Sequence, residues 1–228
     1  INIKFAICKI HSILIKIMPN IISLVLLLLS VYSPISAQNI PIGQWQTHLP
    51  YSGTKAVALS ENYLYSSSSY AAFAYNLKDG SLKTYTKSEG LSDAGISTLA
   101  YDTLTKSLII AYENSNIDIL RNGKVTNLPY LMKSNISGGK EINKIFAFDG
   151  IAWLATGFGI VEVRLEKQEI GDTYFFNEGV GNFAVNDIWA NEDFIFAATP
   201  KGVFQGDRSP LVNLVNFQTW HHFNLTEG

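Results

Sequence analysis

From Glu141 to Leu165 the chain reads EINKIFAFDGIAWLATGFGIVEVRL, with an apolar run over Ile151–Thr156, then Gly157-Phe158-Gly159, then an alternating run from Ile160 to Val163. An apolar run, a glycine-bearing break and a run of period two predict strand, tight turn, strand. The same grammar recurs at Leu64–Phe73, Leu108–Tyr112 and Ile195–Phe204. With Tyr65, Ile109, Trp153 and Phe196 taken as structurally equivalent repeat positions, the steps are 44, 44 and 43 residues. A second marker, Tyr85–Leu91, returns 89 residues later, two periods on, as Tyr174–Val180.

A repeat of this length, carrying several short strands per unit, predicts the blades of a β-propeller. Each unit is expected to hold four antiparallel strands. In the third these are Ile142–Phe148, Ile151–Thr156, Ile160–Leu165 and Thr173–Phe176, joined by Asp149-Gly150, Gly157-Phe158-Gly159 and Lys167-Gln168-Glu169. The fold class is therefore all-β, with about four blades over residues 38–228 and a ring that is incomplete. By register Trp45 falls on an outer strand ahead of the first complete blade, and Gln218–Phe223 forms the outer strand of the fourth. Thr226-Glu227-Gly228 resembles the opening of another unit, which reads as the front part of a longer propeller protein.

Residues 1–37 do not share this rhythm. Ile21–Val31 is an eleven-residue apolar run followed by Ser33-Pro34-Ile35-Ser36-Ala37, short for a membrane-spanning helix and ending in small residues. A secretory leader cleaved after Ala37 is expected, leaving no membrane span in the mature part.

Composition adds to this picture in two ways. The 228 residues are 47% hydrophobic and 12% aromatic, which suits a folded β protein. Beyond residue 37 there remain 14 basic against 19 acidic residues, a balance that argues against nucleic acid and against a basic membrane-binding face. The single cysteine, Cys8, lies in the leader, so the body has no disulfide and no thiolate metal site.

Chemistry is sparse. Gly157-Phe158-Gly159 lacks the third glycine of a dinucleotide fingerprint and lies between strands, so it reads as a β-turn. His48, His221 and His222 can meet only if the first and last outer strands pair, and ordinary edge-strand histidines are the simpler reading. Asp102, Asp149 and Asp193 each follow a first strand, where turn chemistry is expected. Tyr70 and Phe158 occupy matching turn positions, where stacking on sugar rings competes with simple packing. No catalytic or metal set and no cofactor is expected. Propeller ligands meet the mouth of the central channel, which makes Lys55, Ser97, Asn143 and Asn186, the polar residues at the starts of the innermost strands, the candidate binding positions.

The units Glu89-Gly90-Leu91-Ser92 with Ile96–Leu99, and Ile151–Thr156 with Gly159-Ile160, resemble the two-component regulator propeller repeat of Bacteroidetes periplasmic sensors. The segment Gly43–Tyr51, directly after the leader, is more similar to the PorZ family of the type IX secretion system. That resemblance implies a non-enzymatic exported protein at the cell surface or outer membrane, with the sortase and other secretion components as partners and anionic lipopolysaccharide or glycan as ligand. The sensor resemblance implies a periplasmic ligand-sensing propeller of a hybrid two-component regulator.

Overall fold

The computed structural model describes residues 52–223 apart from Glu178 and Val180. The leader, Trp45, His48 and Thr226-Glu227-Gly228 lie outside the described residues. Four four-stranded antiparallel sheets follow one another, each a meander in chain order. The first holds β1 Ala56–Leu59, β2 Tyr63–Ser67, β3 Ala72–Asn76 and β4 Leu82–Tyr85. The second holds β5 Ile96–Asp102, β6 Ser107–Tyr112, β7 Ile117–Arg121 and β8 Lys124–Asn127. The third holds β9 Ile142–Phe148, β10 Ile151–Thr156, β11 Gly159–Arg164 and β12 Glu169–Phe175, and the fourth β13 Asp187–Ala190, β14 Phe194–Thr199, β15 Gly202–Asp207 and β16 His221–Phe223. The inner strand β5 packs against β1 and β9, and β9 against β13. These are propeller blades arranged side by side, and they do not close into a ring.

Local sequence explains the hairpins. Asp149 and Gly150 both take positive φ, 53° and 79°, and Asn122 and Gly123 do the same at 51° and 76°. Two such residues make the two-residue turn whose twist matches that of the flanking strands. Gly159 opens β11 at φ 144°, where any Cβ would collide with the Tyr174 carbonyl oxygen.

The first two strands of the third unit fall where the sequence predicts them, and the other two shift. The turn between β10 and β11 is Gly157-Phe158, with Gly159 already in the strand. The fourth strand starts at Glu169 rather than Thr173, because Glu169 pairs with Arg164 and a register shift near Val161 and Val163 absorbs the extra length. In the fourth blade Phe217–Thr219 is a single 3-10 turn, so the outer strand begins at His221 rather than Gln218.

The core lies between blades. Leu108, Ile110 and Tyr112 of β6 face the first blade, and Ile109 of the same strand faces the third. In β10, Ala152 and Leu154 join the second blade's core while Trp153 and Ala155 join the fourth's. A second strand covered on both faces must be apolar at every position, which is why these strands read as continuous runs. Each buried Leu or Ile contributes roughly 1.5–3 kcal/mol. Among the described residues the outward face of the first blade has no such cover: Val57 and Leu59 of β1 are 67% and 61% exposed.

Two polar networks tie the second blade to its surroundings, one to the linker from the first blade and one to the third blade. Asp118, fully buried, accepts from Tyr112 Oη at 2.6 Å, Ser92 N at 2.7 Å and Asn127 Nδ2 at 2.9 Å. Asp102 accepts from Thr105 N and Oγ1, both at 2.7 Å, which is the expected turn chemistry. It also accepts from Gly150 N of the third blade at 3.2 Å. Asp149 sits in the left-handed turn noted above, and the Asp193 amide donates to Asn191 Oδ1 at 3.0 Å.

Candidate functional site

The four polar candidates occupy one structural position, repeated. In β5 and β9 a register shift leaves Ser97 and Asn143 as the extra residue, while Thr98 and Lys144 pair with Ala111 and Ala155. In the outer two blades the amides of Lys55 and Asn186 donate at 2.8 Å to the carbonyls of Ser67 and Ala198, which already face Ala56 and Asp187. Two residues opposite one is a β-bulge, a device that re-aims a side chain and bends the strand.

At this end side chains and main chain stitch neighbouring blades together. Lys55 Nζ meets Glu113 Oε1 at 2.6 Å, joining the first blade to the second. Ser115 Oγ donates to the Lys140 carbonyl at 2.7 Å, joining the second to the third. Asn143 Nδ2 donates to the Val185 carbonyl at 2.8 Å, joining the third to the fourth. Ser97 Oγ is buried with no partner among the described residues, and Asn186 is exposed. The other candidates divide. Phe158 is fully buried in the core between the second and third blades and presents no face to a ligand, whereas Tyr70 is 60% exposed. His222 stacks on Phe204 at 4.3 Å with Nε2 2.9 Å from the Lys201 carbonyl, and His221 lies edge-on to Phe223. Among the described residues no group of three or more His, Cys, Asp or Glu is placed to hold a metal ion, and no helix is long and apolar enough to cross a membrane.

The opposite end carries a feature the sequence reading did not single out. Between the first two blades a cleft of about 390 Å³ is walled by Tyr63, Tyr65, Tyr85 and Tyr101, with Asn62 and Lys106 among its polar lining. Tyr65 and Tyr101 stack with ring centres 5.4 Å apart, and Tyr63 lies 6.0 Å from Tyr65. Burial pushes the Tyr65 hydroxyl up to about 12, with smaller contributions from the tyrosines around it. The available signal was the repeat itself, since Tyr65 and Trp153 are equivalent positions and so are Tyr85 and Tyr174.

The equivalent junction between the third and fourth blades is furnished differently. Trp153 and Tyr174 line a cleft of about 250 Å³ there, together with Arg208, Val212 and Leu214 from the thirteen-residue connection between β15 and β16. The Arg208 guanidinium lies 4.9 Å over the Trp153 ring. Glu162 accepts from Tyr174 Oη at 2.8 Å and from Arg164 Nε at 3.1 Å, and the Tyr174 hydroxyl is raised by burial first and by the Glu162 charge second. Trp153 Nε1 is buried with no partner among the described residues.

A family model described as the N-terminal β-propeller domain of PorZ, of the type IX secretion system, matches residues 64–221. The chain belongs to the PorZ N-terminal β-propeller family. Membership accounts for the repeat of four-stranded meanders. Among solved structures, the chain is similar to PorZ of Porphyromonas gingivalis, described as an essential bacterial surface component of the type IX secretion system. The two are 26% identical with a TM-score of 0.66, over 80% of this chain and 24% of that one. The extracellular domain of the hybrid two-component system BT4673 from B. thetaiotaomicron is 18% identical with a TM-score of 0.58, over 78% of this chain and 23% of that one. The computationally designed Ika4 protein is 12% identical with a TM-score of 0.53, over 73% of this chain and 99% of that one. The last two likenesses are of fold alone. The chain spans about a quarter of the length of the two natural proteins, and no curated protein matches it.

Proposed function

We propose that this chain is the amino-terminal propeller of an exported, non-enzymatic component of the type IX secretion system. In this reading the protein acts at the cell surface with the system's sortase, and it binds anionic lipopolysaccharide destined for attachment to secreted cargo. The observation that carries the reading is the family match over residues 64–221, which covers parts of all four blades. The bulged inner strands are consistent with a scaffold: Lys55 and Asn143 are engaged in bonds between blades. The alternative, a periplasmic sensing propeller, is supported by a likeness of fold alone at 18% identity.

The test is affinity purification of the full-length tagged protein from outer membranes of its own bacterium. Co-purification of the sortase supports the reading. Recovery of an inner-membrane kinase module on the same polypeptide, with no sortase, contradicts it.

A further inference from the structure

We propose that the tyrosine-walled cleft between the first two blades binds an uncharged sugar ring. The proposal rests on the reading of the chain as an exported binding module, and it names a ligand class distinct from the anionic one above.

Shape comes first. Tyr63, Tyr65, Tyr85 and Tyr101 wall a space of about 390 Å³, and tyrosine offers a flat apolar face with a hydroxyl at its edge. A pyranose matches both properties, with C–H bonds on its faces and hydroxyls around its rim. Polar groups come second. Asn62 Oδ1 is a buried acceptor with no partner among the described residues. A ligand rich in hydroxyls would pair with the polar lining at Asn62 and Lys106, whereas a purely apolar ring would leave it unpaired, at about 1–3 kcal/mol for each group shut off from water.

Charge decides the class. The charged residues lining the cleft are Glu61 and Lys106, which cancel. A cationic side chain is further disfavoured because Lys83 Nζ already sits 4.8 Å over the Tyr85 ring. The equivalent cleft between the third and fourth blades shows what a closed version looks like. There the chain's own Arg208 covers the Trp153 face and the buried Leu214 lines the cleft. In the first cleft, the connection between β7 and β8 is only Asn122-Gly123, too short to reach across.

The test is saturation-transfer NMR on the full-length protein with three probes: maltohexaose, mannohexaose and hexagalacturonate. The expected result is transfer to at least one neutral probe, strongest at ring C–H protons. Binding of that probe should weaken about tenfold in Tyr63→Ala, the loss of one aromatic contact. Tyr63 is 37% exposed, so this variant is expected to fold with a melting temperature only slightly below the parent's, and Tyr101→Leu serves as a second variant. Transfer to neither neutral probe, transfer to hexagalacturonate alone, or neutral binding unchanged in both variants overturns the proposal. None of these outcomes bears on whether the sortase co-purifies, so the two readings fail separately.

Discussion

Asn143 Nδ2 donates to the Val185 main-chain oxygen at 2.8 Å, so a residue the sequence marks as a channel-mouth candidate ties the third blade to the entry of the fourth. Val185 itself is fully buried, and its carbonyl has little water to turn to. Asn143→Ala is expected to cost about 1–2 kcal/mol, because it leaves that acceptor unpaired. Lys55→Ala, which breaks a solvent-exposed ion pair, is expected to cost no more than about 1 kcal/mol and less at high salt. Denaturant titrations of the two variants of the full-length protein check the order.

Asp118 holds three donors from three places: the β6 end at Tyr112, the linker at Ser92 and the β8 end at Asn127. Asp118→Ala strands the buried Tyr112 hydroxyl and the Ser92 amide, while Asn127 Nδ2 keeps Asn116 Oδ1 and the Ile117 carbonyl as acceptors. A loss of about 2–4 kcal/mol is expected, from two donors left unpaired. Tyr112→Phe, which removes one donor and leaves two, should cost less. Urea midpoints of the pair give the comparison.

Trp153 fills the junction of the third and fourth blades at 1% exposure, yet its indole N–H has no partner among the described residues. Trp153→Ala is expected to cost about 3–5 kcal/mol through the cavity it opens. Trp153→Phe removes the unpaired donor along with some volume, and is expected to cost less than half as much. Thermal melts of both variants test whether packing or the N–H dominates.

Alkaline stability should be limited by tyrosine. Burial raises the hydroxyls of Tyr65, Tyr112 and Tyr174, the last two with added contributions from Asp118 and Glu162. Above about pH 10 the unfolded chain releases these protons while the folded chain keeps them, so stability falls as pH rises from there. Asp93 works in the opposite direction: the hydrogen bond from Asn114 is the first cause of its lowered value, so its contribution is lost as pH falls below about 4. Part of the tyrosinate absorbance near 295 nm should therefore appear only in step with unfolding at high pH; a rise that is complete before unfolding begins contradicts this.

The fold was legible because its repeat is carried by buried second strands, whose apolar runs are dictated by cores on both faces. Asp149-Gly150 announced its turn through residue types that tolerate positive φ. The fourth strand of the third blade was misplaced because an outer strand has one covered face, and Glu169-Ile170-Gly171-Asp172 alternates too weakly to mark where pairing with β11 begins. Asp102 reads as a turn residue, and it is one, yet it also bonds Gly150 of the next blade, 48 positions away. The tyrosine cleft escaped because Tyr65, Tyr85 and Tyr101 sit on three strands of two blades, and only the packing of one blade on another gathers them. Phe158 shows the converse: a turn aromatic with the right sequence context is folded inward and unavailable.

The central claim is that this family member serves type IX secretion. Deleting its gene in the bacterium it comes from, and measuring secreted cargo on the surface and in the medium, tests that most directly. The account predicts that cargo stays trapped or unattached and that the full-length gene restores its release. Normal surface attachment and release in the deletion strain would contradict it.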